Sequence, residues 1–117
     1  MAEYLIAFND EWVPEHTEEQ LQEKARTVRT LVAEMRAAGV LIFTGGLDES
    51  QGFSVDPSSG RPVVTDGPFV ESKEHLGGVA IVDVADEAAA RMWAEKVAVA
   101  CGWPQEVRRF RVPMQLP

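Results

Sequence analysis

Val79-Ala80-Ile81-Val82-Asp83-Val84, residues 79–84, is a strongly apolar run of strand length, and Ala85-Asp86 leads from it into a helical pattern. Asp86 is placed to cap a helix over about 87–100, with Ala89, Met92, Trp93, Val97 and Ala100 on its inward face. Gly102 stops that helix, and Glu106 to Val112 reads as a final strand. Working back from residue 79, residues 66–77 look irregular and residues 48–60 are rich in Asp, Ser, Gly and Pro. Within residues 48–65 the segments Phe53–Val55 and Pro62–Thr65 flank the turn Asp56-Pro57-Ser58-Ser59-Gly60, which predicts an inserted β-hairpin. Val40 to Thr44 reads as a strand closed by Gly45-Gly46. Before it, Thr17 and Gln20 match a capping box, and Glu18 and Glu19 suit the positive end of a helix dipole. Leu21, Ala25, Val28, Leu31, Val32 and Met35 then form one apolar stripe on a helix over about 18–38, ended by Gly39. Tyr4-Leu5-Ile6-Ala7-Phe8 is a first apolar strand, followed by a connecting loop with Trp12, Val13 and Pro14.

Apart from the hairpin, the order is strand, helix, strand, strand, helix, strand. Two helices on one face of an antiparallel four-stranded sheet is the α+β, ferredoxin-like βαββαβ arrangement. Its other sheet face has no helix to cover it, and the first and third main strands are too apolar to leave several hundred Å² of it wet. The expected solution is a homodimer with sheets face to face, a dimeric α+β barrel, with a pocket between sheet and helices.

The chain has 117 residues, of which 45% are hydrophobic and 26% charged, the balance of a single globular domain over 1–117. Nineteen acids against eleven Lys and Arg leave a net charge of −8, which disfavours direct contact with nucleic acid. Residues 1–23 carry no Lys or Arg, whereas Arg108, Arg109 and Arg111 crowd the far end, where they could attract an anionic ligand. Cys101 is the only cysteine, so no intramolecular disulfide forms. It follows small residues at a helix end and reads as a packed thiol. No run approaches the roughly 20 apolar residues of a membrane span. The opening run is too short for a signal-peptide core, so a soluble, cytoplasmic protein is expected.

The densest group of chemical side chains is Thr65-Asp66-Gly67-Pro68-Phe69-Val70-Glu71-Ser72-Lys73-Glu74-His75-Leu76-Gly77-Gly78. An Asp shielded from water against a ring such as Phe69 holds its proton more readily and can exchange it with a substrate, so Asp66 is the main acid–base candidate. Glu71 or Glu74 would supply a second carboxylate, Lys73 would hold an anionic group, and His75 is a weaker proton-transfer candidate beside the loop. Gly67, Pro68 and Phe69 would then shape the ligand site. The opposing reading is structural: Asp66 accepts backbone N–H groups of its own turn, Gly67 and Pro68 set the bend, and Phe69 plugs the core. On that reading Glu71 to Glu74 is a solvated, salt-linked loop. Trp12 stands where a pocket mouth is expected, and Trp103 is a further aromatic wall candidate. Tyr4 and Trp93 suit the core or the dimer contact better. His16 reads as exposed among acids. His16, His75 and Cys101 lack metal-ligand spacing, and neither diglycine has a phosphate-loop context, so no metal or cofactor is indicated.

Asp66-Gly67-Pro68-Phe69 with Glu71, Lys73, Glu74 and Gly77-Gly78 is similar to the signature of the YCII-related proteins of the DGPF subgroup. Ala38-Gly39-Val40-Leu41 and Gly46-Leu47 stand at the matching order and spacing, so the resemblance spans nearly the whole chain. It implies the dimeric ferredoxin-like α+β barrel of small bacterial proteins, many encoded beside extracytoplasmic-type sigma factors. Relatives in the wider group are proposed to use a His and Asp pair, and one branch eliminates chloride from a chlorinated hydroxyquinol. Their helix histidine has no counterpart around Arg26, Thr27 and Val28, so that pair does not carry over. Two functions are therefore expected in competition. One is a cofactor-free enzyme performing proton transfer, elimination or isomerisation on a small molecule. The other is a non-catalytic small-molecule-binding or regulatory protein.

Overall fold

The computed structural model describes residues 2–48, 52–67 and 75–111. Strand β1 (Ala2–Asn9) runs into a short 3-10 turn (Asp10–Trp12), then helix α1 (Glu18–Ala37) and strand β2 (Leu41–Gly46). Strands β3 (Phe53–Asp56) and β4 (Val63–Asp66) form the hairpin, and β5 (Leu76–Val84), α2 (Glu87–Cys101) and β6 (Glu106–Arg109) complete the chain. The main sheet has the order β2-β5-β1-β6, with every neighbouring pair antiparallel. This is the ferredoxin-like α+β architecture anticipated from the sequence.

Local chemistry accounts for the element ends. Thr17 Oγ1 accepts the N–H of Gln20 at 3.1 Å, while Thr17 N–H donates to Gln20 Oε1 at 2.9 Å, so the capping box of α1 is formed. Asp86 Oδ1 accepts the N–H of Ala89 at 2.9 Å and starts α2. Gly102 ends α2 in the left-handed region, with φ 87°. A side chain there would also displace the Lys24 ammonium.

The core lies between the helices and one sheet face. Ile6, Met35, Val82 and Val84 are its most completely buried side chains, joined by Tyr4 and Trp93. Burial along the α1 stripe is greater toward its C-terminus: Leu21 is 48% exposed, whereas Met35 is 1% exposed. The N-terminal half of α1 therefore stands off the sheet. Met92 departs from its expected inward position and is exposed, because Ala90, Trp93 and Ala94 carry the packed face of α2.

Strand β5 begins at Leu76, earlier than the sequence pattern suggests. Gly77-Gly78 lies inside the strand rather than in the preceding loop. The reason is steric: the Phe8 ring lies over both glycines where β1 and β5 shift register. Strand β6 is described through Arg109, and the Phe110 N–H continues its pairing by donating to Glu3 O at 2.9 Å. Val112 lies outside the described residues.

Among the described residues no helix covers the second sheet face. Cross-strand pairing puts Leu5 opposite Ile81, Ala7 opposite Val79, and Phe43 beside Ile81, so these side chains share that face. The hairpin strands pair only with each other, and Phe53 and Val64 on them are exposed. The molecule measures 50 × 46 × 19 Å, and its Cα radius of gyration is 16.7 Å. A compact chain of this length is expected near about 13 Å. The difference fits a thin two-layer slab with a separately paired hairpin. Among the described residues no helix is long and apolar enough to cross a membrane.

Candidate functional site

The splay of α1 opens a cavity of about 390 Å³ between that helix, the end of α2 and the main sheet. Small-molecule sites commonly span about 300–1,000 Å³. Its wall is mainly apolar, with Phe8, Val28 and Met35 among its side chains, and Thr44, Lys24, Trp103 and Gln105 supply polar groups. The Thr44 hydroxyl is already used, donating to Val79 O at 3.0 Å.

Trp103 organises one end of this cavity. Its ring meets Phe8 edge to face, with centroids 5.3 Å apart, and His16 in the same manner at 5.6 Å. Lys24 Nζ lies 5.5 Å from the Trp103 ring centroid and donates to Cys101 O at 2.9 Å. His16 is thus partly buried against an aromatic ring rather than standing free among acids. Burial pushes the Cys101 thiol up, with the Lys24 charge opposing, so the group stays protonated at neutral pH and serves packing.

Trp103 Nε1 and Gln105 Nε2 are buried behind this wall and have no hydrogen-bond partner among the described residues. A buried donor left unpaired costs on the order of 1–3 kcal/mol.

A separate pair forms where β1 ends and β5 begins. The Glu11 carboxylate takes the His75 backbone N–H on Oε2 at 3.0 Å and the imidazole Nδ1 on Oε1 at 2.5 Å. The Asp10 N–H donates to His75 O at 2.8 Å, locking the two segments together. The His75 backbone N–H, Glu11's own N–H and the imidazole together hold the Glu11 carboxyl below its ordinary value. A depressed acid stabilises the fold above its unfolded value, near about pH 4.3, and loses that contribution as pH falls through its lower folded value. Glu11→Gln should therefore lower the urea midpoint at pH 7, and the difference from wild type should shrink as the pH is lowered into the acid range. Equal midpoint differences at pH 7 and in the acid range would remove the charge on Glu11 from the account.

The expected site residues fall in three places. Asp66 is exposed at the end of β4, and Gly67 has φ 80°. Gly67 N–H donates to Gly52 O at 3.0 Å and Gly67 O accepts the Ser54 hydroxyl at 2.6 Å, which ties this start of the motif into the hairpin. Neither residue lines the cavity. His75 is in the Glu11 pair, and Trp12 is partly buried in the 3-10 turn, also off the cavity wall. Pro68, Phe69, Glu71, Lys73 and Glu74 lie outside the described residues. Trp103 belongs to the wall, as its aromatic character suggested. Lys24, Gln105 and Glu11 were not anticipated, because each acquires its role through contacts remote in sequence. Among the described residues no group of three His, Cys, Asp or Glu side chains is arranged to hold a metal ion.

A ferredoxin-like α+β chain with one helix-covered sheet face and a cavity beneath its first helix defines the structural class. The family model of the YCII-related domain matches residues 3–103, and the chain belongs to that family. Comparison with curated proteins finds no match.

Proposed function

We propose that this protein binds a small, largely apolar molecule in the cavity between α1 and the sheet. The observation that carries this reading is the cavity itself: about 390 Å³ with a mainly apolar wall. No carboxylate among the described residues lines it, which favours binding over acid–base turnover inside it. A cytoplasmic regulatory role within the DGPF subgroup is the setting this reading fits, given the Asp66-Gly67-Pro68-Phe69 motif. A thermal-shift screen against small aromatic and branched aliphatic compounds tests it. A ligand at about 100 times its Kd stabilises the fold by about 2.7 kcal/mol, a shift of several degrees in a domain of this size. Ala25→Trp fills the cavity from an exposed wall position and should abolish the shift. Shifts that persist in Ala25→Trp would place the ligand elsewhere.

The second reading is catalytic. The Glu11–His75 pair favours it, since a carboxylate that orients an imidazole is a proton-transfer arrangement, with Asp66 as a further acid–base candidate. Turnover of a small molecule that is lost in His75→Gln or Asp66→Asn, at unchanged melting temperature, would establish it.

The working form is a homodimer joined through the helix-free sheet face. Leu5, Val79 and Ile81 on that face are half-buried, Phe43 is 57% exposed, and Asp83 Oδ1 on the same face is buried without a partner among the described residues. Light scattering should give twice the chain mass of 12.9 kDa for the wild type and the single mass for Phe43→Lys. A wild type that runs at the single mass overturns the dimer.

A further inference from the structure

The hairpin β3–β4 leaves its apolar side chains uncovered. Among the described residues its strands pair only with each other, and a lone two-stranded ribbon is at best marginally stable in water. Residues opposite one another in an antiparallel pair point to the same side. Phe53, Val55 and Val64 therefore share one face with Asp66, and Ser54, Asp56, Val63 and Thr65 share the other. The second face is satisfied locally at Ser54, whose buried hydroxyl donates to Gly67 O. The first face is open: Phe53 is 69% exposed and Val64 is 63% exposed. Charged side chains and Pro are what keep an exposed ribbon from joining another chain. Here neither strand carries Lys, Arg or Pro, and Asp56 and Asp66 stand only at strand ends.

We infer that the Phe53–Val55–Val64 face is covered by a second copy of this chain, the same copy that meets the helix-free sheet face, so that each hairpin is an arm clasping its partner. The inference rests on the homodimer reading and adds a second part to its interface. Area is the first argument. Strands β1, β2, β5 and β6 hold 8, 6, 9 and 4 residues, and at about 3.3 Å per residue and about 4.8 Å between strands their outline covers about 430 Å². A stable interface takes about 800 Å² of accessible surface from each partner. Side-chain relief raises the accessible area above the outline, but Ala7 on this face is already buried and Gly45 has no side chain to offer. A buried aromatic ring accounts for about 150–250 Å², so Phe53 at its present exposure adds more than about 100 Å² by itself. Continuity is the second argument. The hairpin lies in the chain between β2 and β5, which both build the sheet face, so the arm begins at the rim of the surface that the partner occupies. A two-fold interface repeats every contact, and one clasp covers both exposed ribbons at once.

Hydrogen exchange of the hairpin amides, followed in the wild type through a dilution series, tests this on the intact chain and needs no variant to fold. Amides of residues 53–56 and 63–66 should exchange at least several-fold faster where light scattering shows single chains than where it shows pairs. Val64→Asp should weaken pairing at least about tenfold, because a carboxylate on the covered face loses its water. Val99→Asp, at an exposed valine of α2, should leave pairing within about twofold. Near-UV dichroism of Val64→Asp should match wild-type single chains, which shows that the body keeps its fold. A paired wild type whose hairpin exchange ignores dilution, or a Val64→Asp that pairs as tightly as wild type, would overturn the arm and leave the sheet-face dimer standing. Single chains in the wild type at every concentration would overturn the dimer and the arm together. Four chains in the wild type that fall to two in Val64→Asp would put the hairpin between dimers and overturn the clasp.

Discussion

Met35→Ala should destabilise the fold by about 2–5 kcal/mol, the range for truncating a buried Met, Leu or Ile side chain. In a domain of this length that corresponds to a fall in melting temperature of roughly 10–20 °C. The expectation follows from where the helix meets the sheet. Met35 is 1% exposed and belongs both to the core and to the closed end of the cavity. Neighbours that already border empty space on one side collapse poorly into a new void, and incomplete relaxation puts a truncation at the upper part of that range. Leu21 occupies the same apolar stripe of α1 but is 48% exposed. Leu21→Ala should therefore lower stability by only about 1 kcal/mol, because about half of its surface stays in water on folding. Calorimetric melts of the two variants side by side measure the splay of α1 directly. Similar losses would mean that the helix lies flat on the sheet along its whole length, and the cavity would then be closed. A ligand that fits the cavity should restore more of the Met35→Ala loss if its body is long enough to reach the truncated end.

The contrast between those two residues also shows how far the sequence could be read. The stripe from Leu21 to Met35 identifies α1 and its inward face, since an interval of three and four residues is a property of the helix alone. The stripe does not reveal how closely the face approaches the sheet, which depends on what β1, β2 and β5 put beneath it. The helix ends were legible for the same local reason: the Thr17–Gln20 box and the Asp86 cap each close within three residues. The hairpin turn was legible too, with Asp56 accepting the Ser58 N–H at 2.9 Å and Gly60 N–H donating to Pro57 O at 3.0 Å. The candidate site is different in kind. Lys24 reaches Cys101 across 77 residues and Glu11 reaches His75 across 64, so no spacing rule could pair them. Trp103 was visible only as an aromatic with several uses, and its place in the cavity follows from packing against Phe8. The segment that attracted most attention, residues 68–74, lies outside the described part of the chain. The Asp66–Gly67 portion that is described serves the hairpin's own hydrogen bonds.

Gly78→Ala should damage the sheet by adding a single methyl group. A Cβ at Gly78 would lie 2.6 Å from Phe8 Cε1 and 2.8 Å from Phe8 Cζ, far inside van der Waals contact. Replacing glycine by alanine in an accommodating site stabilises a protein by about 0.4–1 kcal/mol through the unfolded chain. Overpacking of this kind costs about 1–3 kcal/mol, so the clash wins. Phe8 cannot turn aside freely, because its ring already abuts Trp103 with centroids 5.3 Å apart. The displaced ring must press on the indole or enter the cavity, and either movement damages the proposed ligand site as well as the fold. Gly46→Ala is the matched control: it sits opposite Gly78 in β2, and its nearest heavy atom, Gly77 O, would be 4.0 Å from the new methyl. Urea melts should show Gly78→Ala weaker than Gly46→Ala by at least about 1 kcal/mol. The double variant Gly78→Ala with Phe8→Leu removes the clashing ring edge and should recover part of the stability. A double variant no more stable than Gly78→Ala would show that the diglycine is needed by the backbone of the β1–β5 register shift itself, and not by the ring that lies over it.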